Sequence, residues 1–140
     1  MPWLQNPIKL KDGLSHVMVD DRFAQVAPLE ELGQLNWFGV WFKETPPEGA
    51  LLHPDEEAAF AELERALVEM AERHANGWAV FCLRVLSYGI AEFYFYSRDA
   101  ATLADVVDEL RTAHPGYRIE HQSKPDESWA AYRKFLLAAK

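Results

Sequence analysis

The side chains of this sequence that are best suited to binding chemistry are aromatic, with one cation among them. Trp37 and Trp41 lie four residues apart in one run of aromatic and β-branched residues, and a second such run holds Tyr94 and Tyr96 two residues apart. Even spacing in a strand places side chains on the same face of a sheet. Tryptophan, tyrosine and arginine are enriched at binding surfaces because they join apolar area to a polar group. We therefore predict a candidate binding set on one sheet face: Trp37, Trp41, Arg84, Tyr94 and Tyr96.

The histidines and the cysteine do not form a recognisable metal or nucleophile site. The five histidines are scattered, and none lies at metal-ligand spacing from another histidine or from a cysteine pair. Cys82 is the only cysteine, and its position inside a strand-like run is typical of a small apolar core residue. We expect no metal site and no cofactor.

The sequence also lacks the short motifs of the common enzyme classes. It contains no glycine-rich phosphate loop, no nucleophile elbow and no dinucleotide fingerprint. Acid-base catalysis needs two carboxylates held in different environments, whereas Glu62, Glu64, Glu69 and Glu72 have the spacing of a solvated helix surface. No catalytic residue is predicted, although catalytic groups can converge from distant positions.

The elements that position the candidate set follow from hydrophobic periodicity and turn residues. Strand-like runs occupy 35–43, 78–86, 90–96 and 117–122. Apolar residues at helical spacing predict one helix over 54–75, a second capped by Asp99, and a short closing helix capped by Asp126. The Asp12-Gly13 pair predicts an N-terminal hairpin.

This order of elements predicts an α+β fold. The core reads βαββαβ, the ferredoxin-like split βαβ arrangement, in which an antiparallel sheet carries two helices on one face. We expect a single domain with an N-terminal hairpin extension (1–34), the core (35–123) and a C-terminal helix (124–140). If the apolar set of each strand faces the helices, the candidate set lies on the far face, together with Cys82. That face is open to the hairpin, to the closing helix or to a second copy of the chain. The residues predicted to face the helices are Phe38, Val40, Phe42, Ala79, Phe81, Leu83, Val85, Phe93 and Phe95.

The composition indicates a soluble globular protein. The chain has 140 residues, of which 49% are hydrophobic and 26% charged. With a single cysteine, no leader and no long apolar run, we expect a cytoplasmic protein that does not enter a membrane. The net charge is -8, and two arginines against seven acidic residues leave -5 on residues 55–75. This balance argues against nucleic acid, which needs a basic stripe.

Three segments of the sequence carry a family resemblance: Gly39-Val40-Trp41-Phe42-Lys43 with the Pro-Pro-Glu-Gly turn after it, Ala91-Glu92-Phe93-Tyr94-Phe95-Tyr96, and Pro125-Asp126-Glu127-Ser128-Trp129-Ala130-Ala131-Tyr132. Together they resemble the bacterial domain-of-unknown-function family 695. The resemblance spans nearly the whole chain and implies a small bacterial protein without an established activity, so it transfers no catalytic residue. Family members often end in Leu-Tyr-Pro, from which this chain departs. The acidic character and the element order are also remotely similar to the ribonuclease E inhibitor protein B, a protein-binding regulator, but this likeness is one of fold and does not fix function.

Three functions remain open at this point. The leading hypothesis is a non-enzymatic protein-binding or regulatory module that uses the aromatic sheet face, the acidic helix, or both. The first alternative is a small-molecule binding protein or enzyme with a pocket between the far sheet face and the terminal segments. The second alternative is a homodimer whose seam is the aromatic face and which has no ligand site.

Overall fold

The computed structural model describes the backbone of residues 3–10 and 13–139 and the side chains of residues 15–138. Within these residues there are six strands and three α-helices. The helices are α1 (Glu57–Ala75), α2 (Val106–Ala113) and α3 (Ala130–Ala139). The strands are β1 (Trp3–Leu10), β2 (Gly13–Asp20), β3 (Gln34–Trp41), β4 (Ala79–Ser87), β5 (Ile90–Ser97) and β6 (Arg118–Pro125).

The strands form one antiparallel sheet in the order β1-β2-β4-β5-β3-β6. The predicted α+β class is confirmed. The N-terminal hairpin extends the sheet, because β2 pairs with β4; Asp12 of its predicted turn lies outside the described residues. The second helix begins later than predicted, at Val106, since Asp99 instead closes a turn by accepting from the Thr102 N–H and hydroxyl. No helix in the described part of the chain has the length and hydropathy to cross a bilayer.

Helices α1 and α2 lie on one face of the sheet and form the larger hydrophobic core with it. The apolar stripe of α1 is buried there through Phe60, Leu63 and Leu67, and α2 adds Val106 and Leu110. Full burial of each such side chain stabilises the fold by roughly 1.5–3 kcal/mol. The predicted alternation of side chains along β3 and β5 is confirmed. The side chains that face the two helices are Phe38, Val40, Phe93 and Phe95.

Over β2 and β4 the other face of the sheet is covered by α3 and by the loop at 21–33. Trp129 is fully buried, and its indole stacks on the Tyr96 ring with centroids 4.0 Å apart and an interplanar angle of 7°. The Trp129 N–H donates to the Leu32 carbonyl (2.8 Å), and the Tyr132 hydroxyl donates to the Asp20 carbonyl (2.6 Å). Of the covers that the sequence left open, the closing helix lies on this face, whereas the hairpin joins the sheet itself and adds Val17 and Val19 of β2 to this second core.

A β-bulge in β4 places Arg84 on the face opposite to the predicted one. The register of β4 against β5 shifts across Cys82, so the alternation of side chains reverses after this extra residue. Leu83 and Val85 consequently join the core under α3, although they were predicted to face α1. Arg84 points toward α1, where its Nη1 lies 2.5 Å from Glu64 Oε1. The prediction that Arg84 lies on the aromatic face is therefore wrong.

The anchoring of α3 can be tested with Trp129→Ala. We expect this change to lower the free energy of unfolding by about 3–5 kcal/mol, because it removes a fully buried ring together with its stack and hydrogen bond. Leu137→Ala is the control on the same helix, since Leu137 is 74% exposed, and should change stability by less than about 0.5 kcal/mol. The measurement is urea unfolding followed by circular dichroism. A loss below about 1 kcal/mol for Trp129→Ala would contradict the described position of α3.

Candidate functional site

Helix α3 packs mainly against β1, β2 and β4, and beside it the far face of the sheet presents side chains of β3, β5 and β6. The pairing registers place these side chains in three rows, with a β3 residue at the centre of each row. Two of the central residues are half-buried tryptophans. The rows are Trp37 between Tyr94 and Gln122, Gly39 between Glu92 and Glu120, and Trp41 between Ile90 and Arg118.

Trp37, Trp41, Glu92 and Arg118 form a compact group that we call the tryptophan corner. The Trp37 ring lies directly over Gly39, where an added Cβ would come within 2.4 Å of its Cη2. The indole N–H of Trp37 donates to Glu92 Oε1 (3.0 Å). The Trp41 ring contacts the Trp37 ring edge-on, with ring centroids 6.2 Å apart. The Arg118 guanidinium lies over the Trp41 ring, 3.9 Å from its centroid. The corner is thus an ordered aromatic surface whose position depends on a glycine.

Glu92 is the carboxylate of this corner, and its negative charge has no cationic partner among residues 15–138. Burial raises the pKa of Glu92, and the hydrogen bond from Trp37 only partly opposes that effect. Among the described residues no cationic side chain lies within ion-pair distance of Glu92, whereas the neighbouring Glu120 lies 2.6 Å from Arg118. Glu92 therefore places an incompletely neutralised negative charge beside the indole of Trp37.

Between α3 and β6 runs a groove of about 560 Å³, which we call the α3 groove. Aromatic side chains form its apolar part, where Tyr94 packs against Phe135 with ring centroids 6.0 Å apart. The α3 residues Ala130 and Ala131 line it as well, and their small side chains leave its volume free. Its lining residues are Leu35, Trp37, Tyr94, Gln122, Ser123, Lys124, Pro125, Asp126, Ala130, Ala131, Lys134 and Phe135.

Asp126 fixes the start of α3 and thereby one end of the groove. Its carboxylate accepts from the backbone N–H groups of Ala130 (2.9 Å) and Ala131 (3.2 Å), as predicted for the cap of this helix. It also accepts from the Tyr96 hydroxyl (2.7 Å). Burial is the larger cause that raises the pKa of Tyr96, and the hydrogen bond to Asp126 raises it further. Tyr96 therefore stays a neutral phenol. These contacts make Tyr96 a structural residue of the second core.

The structure brings together only part of the predicted binding set. Trp37, Trp41 and Tyr94 share the uncovered face, and Trp37 and Tyr94 line the α3 groove. Tyr96 has the predicted parity but is fully buried under Trp129, so no ligand can reach it.

Sequence reasoning missed several residues of the groove and the corner. Gln122 could have been found by applying to the predicted strand 117–122 the alternation used for the other strands, since it lies opposite Trp37. Lys124 lies beyond the predicted end of that strand, because β6 continues to Pro125. The contributions of Lys134 and Phe135 could not have been found, because they depend on the angle at which α3 crosses the sheet.

Two of the histidines and the cysteine have surroundings typical of structural residues. His74 Nε2 lies 2.9 Å from Glu109 between α1 and α2, and the His121 ring stacks on Phe38 with centroids 4.3 Å apart. Burial raises the pKa of the Cys82 thiol well above its usual value, which opposes a nucleophilic role. Within residues 15–138 no cluster of three His, Cys, Asp or Glu side chains could hold a metal ion.

The raised pKa of Glu92 predicts a pH dependence of stability. A carboxyl group whose pKa is higher in the folded than in the unfolded chain stabilises the fold when protonated, and this contribution is lost as the pH rises through the folded-state pKa. We expect Glu92→Gln to raise the free energy of unfolding at pH 7, because the amide oxygen can still accept from Trp37 without a buried charge. Urea unfolding of both proteins at pH 4 and pH 7 measures the effect, and the gain should shrink at pH 4. A Glu92→Gln protein that is less stable at pH 7 would contradict this assignment.

Comparisons with known proteins give one family and distant structural likenesses. The solved structure of a de novo designed protein, Foldit4, is similar over 66% of this chain and 97% of its own, with 10% sequence identity and a TM-score of 0.43. A search of curated proteins found no match. The family of unknown function DUF695 matches residues 3–137, which include all three segments that suggested it. Because this match covers almost the entire sequence, the chain belongs to the DUF695 family.

Proposed function

We propose that this protein is a non-enzymatic binding module that holds a short extended segment of a partner protein in the α3 groove. The observation that carries the proposal is the groove itself, which α3 and β6 leave unfilled beside an uncovered aromatic surface. Side chains of the type of Trp37 and Tyr94 dominate the binding energy of many protein interfaces. Both are ordered by neighbouring rings and strands, so little conformational entropy is lost when a partner binds.

The shape of the groove supports an extended segment as its occupant. Five consecutive residues, 122–126, line one side of it. At about 3.3 Å per residue these span roughly 13 Å, enough to accompany four or five residues of an extended chain. The opposite side is the start of α3, a rigid element capped by Asp126. Sites built on strands and helices hold a partner more precisely than sites built on loops.

The acidic helix supports a second contact surface less strongly than the groove. Several of its carboxylates already have cationic partners within the chain: Arg65 lies between Glu62 and Glu69, and Glu64 is paired with Arg84. The charge left for a basic partner is therefore smaller than the net -5 of residues 55–75 suggests.

A small molecule is the second candidate occupant. The volume of about 560 Å³ falls within the 300–1,000 Å³ that is usual for ligand pockets, and the lining combines aromatic walls with a few polar groups. Arg84, the cation that the sequence placed in the candidate binding set, does not contribute, because it faces α1. Self-association through the aromatic sheet face stays a prediction of the sequence.

We also propose the finer fold and location. The core strands lie in the order β4-β5-β3-β6 with α1 and α2 on the same face, which supports the ferredoxin-like split βαβ arrangement. Cys82 is a buried free thiol, which supports a reducing, cytoplasmic setting. The remote likeness to the ribonuclease E inhibitor protein B remains a hypothesis that agrees with a protein-binding role.

Ala130→Trp tests the proposed use of the groove. Ala130 is exposed and lines the groove, so an indole at this position should fill the groove. The hydrogen bond from the backbone N–H of residue 130 to Asp126 does not depend on the side chain and should stay intact. The probe is a displayed library of random eight-residue peptides, selected on the immobilised protein. We expect peptides enriched by the native protein to bind Ala130→Trp at least about tenfold more weakly, since a filled groove excludes their anchor side chains.

Ala61→Trp, on the exposed side of α1, is the matched control and should bind the same peptides as the native protein does. Circular dichroism and thermal unfolding of both variants verify that they fold. Equal binding by Ala130→Trp and the native protein would exclude the α3 groove as the binding site.

A further inference from the structure

The two lysines of the α3 groove have no carboxylate partner within the described part of the chain. Among residues 15–138, seven of the eight arginines lie within 4.0 Å of a carboxylate oxygen. By the same criterion no carboxylate accompanies the three lysines of this range, Lys43, Lys124 and Lys134, and two of them, Lys124 and Lys134, line the groove. In a chain with 22 acidic residues and 14 basic ones, two cations without such partners at one groove are not explained by a shortage of carboxylates.

The carboxylate nearest in the lining does not neutralise this pair. Asp126 is occupied by the Tyr96 hydroxyl and by two backbone N–H groups of α3, which direct its oxygens toward the helix start. Lys124 shares the side of β6 that faces α3, as shown by its pairing with the buried Leu35. Lys134 extends from α3 next to Phe135, and its Nζ lies 5.9 Å from the centroid of the Phe135 ring.

We infer that the α3 groove selects an acidic segment, with a carboxylate side chain between Lys124 and Lys134 and a neighbouring apolar side chain against Tyr94 and Phe135. This inference rests on the proposed function of the groove. Both lysines are exposed, so they keep mobile side chains that can close on a carboxylate when a partner binds. The apolar walls beside the two lysines favour a segment in which acidic residues alternate with aromatic or aliphatic ones.

The net negative charge of the protein restricts where an acidic segment can bind. A net charge of -8 repels acidic chains in general, so an acidic segment gains attraction only where the local charge is positive. Attraction to two solvated ammonium groups acts over about a Debye length, roughly 8–10 Å at ordinary ionic strength. Binding should therefore weaken as salt is added.

The library selection described above also tests this inference, through the composition of the enriched peptides. We expect native protein to enrich Asp and Glu next to aromatic or aliphatic residues. With Lys124→Glu and Lys134→Glu combined, the selected acidic peptides should bind at least about tenfold more weakly in fluorescence anisotropy. The same variant should enrich Lys and Arg instead. Arg65→Glu combined with Arg73→Glu on α1 changes the net charge equally, and should alter affinity by less than about twofold once salt screens distant charges.

The possible outcomes separate the inference from the proposed function. Enrichment of basic or uncharged peptides that Ala130→Trp fails to bind would overturn the acidic preference and leave the groove as the binding site. Undiminished binding of acidic peptides by the lysine double variant would overturn the preference as well. If native protein enriches no peptide above the level of Ala130→Trp, the proposed function fails and the inference fails with it.

Discussion

The stack of the Trp129 indole on the Tyr96 ring determines where α3 lies, and the second face of the sheet depends on that position. The Tyr96 hydroxyl donates to Asp126 and accepts from the backbone N–H of Tyr132, so one phenol joins the sheet to both ends of the first helical turn. Trp129 adopts a left-handed backbone conformation, with φ of 57°, which costs about 1–2 kcal/mol for a residue other than glycine. Complete burial of the indole and its hydrogen bond to Leu32 offset that cost.

The two faces of the sheet are consequently covered in different ways. On the first face two helices bury the phenylalanines of β3 and β5 in one continuous core. On the second face a single short helix begins near Tyr96 and packs mainly on β1, β2 and β4, which leaves the β3 and β6 side chains beside it. The α3 groove lies at this boundary, because the helix is too narrow to cover six strands. An incompletely covered sheet face is thus a consequence of the architecture, and its aromatic composition is what distinguishes it.

Most of the fold could be predicted from the sequence, because each core element has strong local determinants. The stripe of α1, the aromatic alternation of β3 and β5, and the cap at Asp126 each follow from residue spacing and type. The site was predictable only in part. A one-residue bulge at Cys82 leaves the composition of β4 unchanged but reverses every side chain after it, and so moved Arg84 to the other face. The burial of Tyr96 could not be predicted either, since it depends on a contact with Trp129 across 33 residues of sequence.

Gly39 connects the fold to the tryptophan corner. In most strands a glycine weakens the sheet, because it offers no side chain to pack. Here the absence of a Cβ leaves room for the six-membered ring of Trp37, because a Cβ at Gly39 would come within 2.4 Å of its Cη2 and 2.5 Å of its Cζ2. The hydrogen bond to Glu92 then sets the rotation of the ring, and the edge-on contact of Trp41 limits its movement along the strand. A large aromatic side chain at a sheet surface ordinarily stays mobile until it is covered. Because Trp37 contacts a glycine, a carboxylate and a second indole of the same sheet face, its position is set without a partner, and little conformational entropy is lost when a partner binds.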